Sequence, residues 1–273
     1  MESWTLEHLI LAFIHALVGV YVLGWLGNSI LKTEQQVYWT KPETEEKNDE
    51  FHYILEKQHI FSVSPIAIHG AVSLITALSH LIAAYIYRDL THGVQNQRPN
   101  TLRWTEYSIT ATLMTLSGYI SVGQGDIYIL TTVTVLGVFL QVCGYFIEKD
   151  KKKGTWWRYL WIGSLIQFLI VLPVTAWTTS AEIGNGGLFA AWVAYSVYYA
   201  LFPLNAFYDA KYENNFRETD KRYVVLSFTS KMALLCKSPL LVLHLFDFFT
   251  ERFFSLIFSQ GLRCKFPTLV YFL

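Results

Sequence analysis

Apolar sequence returns seven times in this chain in runs of about 20–25 residues, each long enough to cross a bilayer as a helix. The runs are Leu6–Ile30, Pro65–Tyr87, Thr101–Val122, Ile127–Ile147, Trp156–Thr179, Gly187–Asp209 and Tyr223–Leu245. The chain shows no internal repeat and no stretch suited to a soluble domain. The expected fold is therefore an all-α membrane protein, a seven-transmembrane-helix bundle over residues 1–245 with a tail over 246–273. Composition agrees: 15% of residues are charged, against about 25% in soluble domains. A net charge of zero points away from nucleic acid and leaves the lipid bilayer as the surrounding partner. Cys143 and Cys236 lie in or beside apolar runs, which argues against a disulfide framework. The amino terminus, MESWTLEHLI, lacks a basic stretch and a small-residue cleavage site, so no removable signal peptide is expected.

Lysine and arginine placement sets the orientation. Arg88, Arg98 and Arg103 follow the second run; Lys149, Lys151, Lys152, Lys153 and Arg158 follow the fourth; Lys211, Arg217, Lys221 and Arg222 follow the sixth. The connections after the third and fifth runs, Gly123–Asp126 and Ser180–Gly186, carry none and are short enough to make antiparallel neighbours. The amino terminus shares a side with the basic loops, which makes it cytoplasmic and the carboxyl terminus external, in a membrane read as the plasma membrane. Pro173 and Pro203 should bend the fifth and sixth helices.

The seventh run opens YVVLSFTSKMALL, with one amine, Lys231, and Ser227 four residues earlier on the same face. A charged lysine deep in hydrocarbon is paired, neutralised or chemically modified. Its alternative, a lysine snorkelling to a nearby membrane boundary, needs that boundary close to residue 231, yet apolar sequence continues on both sides. Lysine's chemical use in such a place is a Schiff base with a carbonyl ligand; in a seventh transmembrane segment that ligand is retinal. From the helical rise, Lys231 lies about 13 Å from the basic end, Glu106 about 10 Å, His80 about 12 Å and His15 about 15 Å. Four ionisable groups thus converge on one layer, and Glu106 is the natural partner of a positive charge at Lys231. Thr76 lies one turn before His80, although a hydroxyl bonding its own backbone is the commoner use. Trp161, Phe168, Trp192, Tyr195, Tyr198 and Phe202 make an aromatic wall that suits either bundle packing or a flat polyene. No metal site is expected.

Several of these stretches resemble one family. RWTEYSITATLM at Arg103–Met114 resembles the third-helix motif of the heliorhodopsins, with Thr110 and Thr112 where serine is usual. VLSFTSK at Val225–Lys231 resembles the family's retinal-lysine helix. FIHAL at Phe13–Leu17, TALSH at Thr76–His80 and CGYFIEK at Cys143–Lys149 are similar to parts of its first, second and fourth helices. The likeness runs from about residue 10 to 240; it departs at Gly137, near a position where relatives carry asparagine, and in a longer tail. The resemblance implies covalent all-trans-retinal as a Schiff base on Lys231, Glu106 as counterion, and Ser227 and Thr76 as hydrogen-bonding neighbours. It also implies a polar cytoplasmic cavity holding His15 and His80 as proton acceptors, and a retinal pocket that includes Met114, Gly144, Trp161 and Phe202.

Two further elements are expected. The first loop, residues 31–64, holds the β-prone runs Val37–Trp39 and Phe51–Leu55 around a polar turn, a β-hairpin that by resemblance helps form a homodimer. In Leu240–Ser259, polar residues at helical spacing read as an extra C-terminal amphipathic helix. The functional expectation is a light sensor, not an enzyme, signalling by photoisomerisation without net ion pumping; the alternatives are a light-driven or light-gated proton transporter and a seven-helix protein without retinal. Towards the outside the nearest carboxylates are Asp126 and Glu182, both at segment ends and expected to be wet. The signalling partner is not legible.

Overall fold

The computed structural model describes residues 3–26, 34–47, 50–87, 100–180, 186–212 and 216–235. Within them run seven α-helices: α1 (Ser3–Tyr21), α2 (Pro65–Tyr87), α3 (Thr101–Ser121), α4 (Ile127–Lys149), α5 (Trp156–Ser180), α6 (Gly186–Tyr212) and α7 (Phe216–Leu235). A π-helical turn, Val22–Leu26, extends α1, and a 3₁₀ turn, Lys151–Lys153, follows α4. The amphipathic tail expected at Leu240–Ser259, and the end of the seventh run, lie outside the described residues.

Among the described residues, α1, α2 and α4 are long and apolar enough to cross a membrane, and most of their surface is not buried by the protein. Phe13, for example, is 65% exposed. An apolar helix that keeps such side chains uncovered is built for hydrocarbon rather than water. The protein is thus an all-α membrane protein, with sequential helices packed side by side. α1 and its π-helical turn pack tightly on α2: a Cβ at Gly19 would stand 3.1 Å from Gly70 O, and one at Gly70 would stand 2.6 Å from Leu23 Cγ.

Helix starts are capped from the sequence. Asn100 Oδ1 accepts from Arg103 N at 3.0 Å to open α3, and Asp126 Oδ1 accepts from Tyr128 N at 2.8 Å to open α4. Pro203 sits inside α6, where it removes one backbone hydrogen bond.

The two β-prone runs belong to longer strands, β1 (Gln35–Lys47) and β2 (Glu50–Val63), paired antiparallel with an irregularity between Val37 and Tyr38. The hairpin lies against the start of α4. Tyr38 N donates to Gly125 O at 3.0 Å, and Thr40 Oγ1 donates to Asp126 Oδ2. Asp126 is therefore buried, not wet as expected, because the hairpin folds over it. The opposite end of the bundle carries Lys149, Lys151, Lys152, Lys153, Lys211 and Lys221, and is the basic end.

Candidate functional site

α7 turns Lys231 inward, where it is 4% exposed. Its Nζ donates to Glu106 Oε1 and to Thr76 Oγ1, both at 2.7 Å. Glu106 Oε1 also accepts from Thr76 Oγ1 at 2.9 Å and from Thr110 Oγ1 at 2.8 Å. Thr110 lies one turn after Glu106, so α3 supplies both the carboxylate and a group that fixes its rotamer. Two hydroxyls and one amine thus converge on a single carboxylate oxygen. A buried ion pair persists when its remaining donors and acceptors are satisfied in this way. Thr76 spends its hydroxyl across the bundle rather than on its own backbone. Ser227 is buried one turn from Lys231, but the hydroxyl on the amine is that of Thr76.

The histidines sit on the basic side of this pair. His15 is fully buried and stacks on His80, ring centroids 5.7 Å apart, with Phe228 edge-on at 5.5 Å. Neither ring nitrogen of His15 has a hydrogen-bond partner, and buried polar atoms of this kind are normally served by ordered water. Beside them a polar cavity of about 30 Å³ is lined by His80, Thr76, Ser79, Glu106 and Ser227 among others, room for roughly two waters.

Sequence reasoning missed what closes the cavity. His8 Nδ1 meets His80 Nδ1 at 2.9 Å, and His8 Nε2 meets Asp220 Oδ2 at 3.3 Å. Asp220 Oδ1 accepts from Asn100 Nδ2 at 2.9 Å and from Arg103 Nη1 at 3.0 Å, while Arg103 Nη2 pairs with Glu148. Arg103 counted in sequence as a loop cation; it is 7% exposed. One signal was available: His8 precedes His15 by seven residues, two turns along the same face.

On the other side of α3 lies an apolar slot between α4, α5 and α6, lined by Trp104, Tyr107, Gly144, Gly163, Phe202 and Tyr223 among others. The Tyr107 ring separates it from the amine, its centroid 5.8 Å from Lys231 Nζ, and the Tyr107 hydroxyl donates to Tyr223 O at 2.9 Å. Gly144 and Phe202 belong to this slot. A Cβ at Gly144 would collide with the Trp104 ring. Two of the residues expected in the pocket stand elsewhere. Trp161 is 71% exposed and faces outward, because Leu160, Gly163, Ser164 and Gln167 form the inward stripe of α5 and Trp161 stands about 100° from it. Phe168 faces outward for the same reason. Met114 is buried in the core cluster with Val72 and Tyr119 and does not line the slot. The side chains of Trp192, Tyr195 and Tyr198, and Glu182 as a whole, lie outside the described residues.

The half towards the hairpin is poor in ionisable groups. Among the described residues it holds no buried acid between Lys231 and Asp126. It does hold His69, also missed in the sequence, whose Nε2 lies 3.1 Å from Ser117 Oγ.

The family described as Heliorhodopsin matches residues 5–236. No curated protein matches the chain.

Proposed function

The chain belongs to the heliorhodopsin family, which makes it a retinal-binding rhodopsin of the integral membrane, and from that premise we propose a light sensor that signals by photoisomerisation without net ion pumping. The observation that carries the reading is the buried pair of Lys231 and Glu106 at 2.7 Å. In this reading all-trans-retinal is joined covalently to the Lys231 amine. The residues fit such a group at the nitrogen, a primary amine with a carboxylate placed for a positive charge there, while the aromatic-walled slot lies on the far side of the Tyr107 ring. Bound there, retinal supplies the visible absorption and a light-driven change of shape.

The chain's own residues do the rest. Glu106 favours the charged state of the Lys231 nitrogen through direct attraction. Thr76 bridges the two and sets their separation, while Thr110 keeps the carboxylate from swinging away. When the Lys231 N–H turns from Glu106, the pairing breaks, and a bundle with two packings is biased towards the other one. His15 and His80 stand on the basic side to receive the proton. No enzymatic step is assigned.

Sensing is favoured over transport by asymmetry. A pump needs accepting and donating groups on opposite sides of the nitrogen. Among the described residues the buried acids Glu106 and Asp220 and the histidines His8, His15 and His80 lie at the amine or on its basic side, while between Lys231 and Asp126 at the hairpin end the other half offers His69 without a carboxylate. A released proton then returns from the cavity that received it. In voltage-clamped cells we expect a light response without sustained photocurrent. A steady current that disappears in Lys231→Ala would put the transporter first, with His69 as its outer group.

All seven helices are read as spanning the plasma membrane, with the amino terminus in the cytoplasm beside the basic end. A tag before Met1 should be hidden from an impermeant reagent on intact cells, and one after Leu273 should be labelled; the reverse pattern would overturn this orientation. The hairpin is read as part of a homodimer surface, as the family resemblance implies.

A further inference from the structure

His8 and Asp220 line the polar cavity, and their hydrogen bonds have a direction. Asp220 is a carboxylate held on Oδ1 by Asn100 and Arg103, so its Oδ2 accepts and His8 Nε2 carries the proton that faces it. In neutral His8 the lone pair is then on Nδ1. That nitrogen lies 2.9 Å from His80 Nδ1, and two facing ring nitrogens bond only if one of them is protonated. The proton is therefore on His80 Nδ1, which leaves His80 Nε2 with a lone pair. His80 borders the same cavity as Thr76 and Glu106.

We propose that His80, His8 and Asp220 form a proton wire between the Lys231–Glu106 cavity and the basic end of the bundle. The proposal rests on the reading that light releases a proton from the Lys231 nitrogen. A proton arriving at His80 Nε2 forms a new N–H bond. The His80 Nδ1–H bond breaks as that proton passes to His8 Nδ1, and the His8 Nε2–H bond breaks as its proton passes to Asp220 Oδ2. One proton enters and one ends on the carboxyl group, with no further reactant. Next to His8 and Asp220 in the chain, Glu7 and Lys221 pair at 3.2 Å and are partly exposed. Arg103 is shared with Glu148, so the carboxyl group has a charge-assisted anchor on the side away from His8.

After one passage both imidazoles are neutral but in the opposite tautomer. A second proton cannot follow until both rings turn over, and His80 is held by its stack on His15. The wire carries one proton out and the same proton back. This is the behaviour a sensor needs and a pump must avoid.

The test uses the holoprotein in nanodiscs, a light flash, and time-resolved infrared difference spectra of the carboxyl region. Loss of the Lys231 proton is read from the visible band. In His8→Phe and Asp220→Asn the visible maximum and that loss should be unchanged. The carboxylic-acid band that follows that loss in the wild type should vanish in Asp220→Asn and rise roughly tenfold or more slowly in His8→Phe, and added imidazole should restore it in His8→Gly. A wild-type band in both variants, or no band in the wild type, overturns the wire. Nitrogen NMR in the dark decides independently of light: protons on His8 Nε2 and His80 Nδ1 are expected, and the opposite tautomers overturn the proposal. A missing visible band instead defeats the photoreceptor reading.

Discussion

Lys231→Ala is expected to abolish visible absorption altogether, in protein produced with retinal and purified without harsh treatment. The amine is the covalent anchor in the proposed function, and alanine offers no nucleophile in its place. The loss must be separated from loss of the fold. Removing one partner of a buried ion pair leaves a charge uncompensated, at a cost of about 3–5 kcal/mol. Here Glu106 would be left with the two threonine hydroxyls alone. The double variant Lys231→Ala, Glu106→Gln removes that charge. It should recover a monodisperse, folded protein that is still colourless. A visible band in either variant would place the attachment elsewhere.

Glu106→Gln has the second large effect, and its sign follows from charge. The carboxylate oxygen lies 2.7 Å from Lys231 Nζ. An opposite charge this close stabilises the charged nitrogen by about 1–4 kcal/mol. Glutamine keeps the shape and can still accept from Thr76 and Thr110, but the negative charge is gone. The positive charge then spreads away from the nitrogen, and the visible band should move to longer wavelength. Part of the protein should also lose the nitrogen's proton at neutral pH and absorb in the near ultraviolet. Added chloride should reverse both effects in part, by supplying an anion where the carboxylate stood. A spectrum indistinguishable from the wild type would remove Glu106 from the counterion role.

These residues were legible because ionisable groups are scarce in apolar runs. Lys231, Glu106, His15 and His80 stand out against their neighbours, and helical rise alone brought them to one depth. The hairpin was legible from β-prone residues around a polar turn, although its strands run further than those residues do. The rotation of α5 was not legible. Apolar residues surround it and only Ser164 and Gln167 mark the inward stripe, too weak a pattern to set the phase, so the sequence suggested Trp161 inward where it faces out. The mouth of the cavity was hidden for a different reason. Arg103, Glu148 and Asp220 lie near helix ends, where charges are usually solvated. Their burial depends on α1, α3, α4 and α7 meeting there, which no single stretch of sequence records. His69 was overlooked because a histidine near a helix start reads as an interfacial group.

Asp126 has a consequence for how motion leaves the bundle. One oxygen of its carboxylate caps α4, and the other is taken by Thr40 of the hairpin. Gly125, beside it, lies so close to the Gln36 backbone that a Cβ would collide there. The start of α4 and the hairpin are thus clamped together, with Val37 packed into the core cluster beside the joint. A tilt or axial slide of α4 cannot be absorbed at this joint and becomes a swing of the whole hairpin, with its 14-residue second strand as the lever arm.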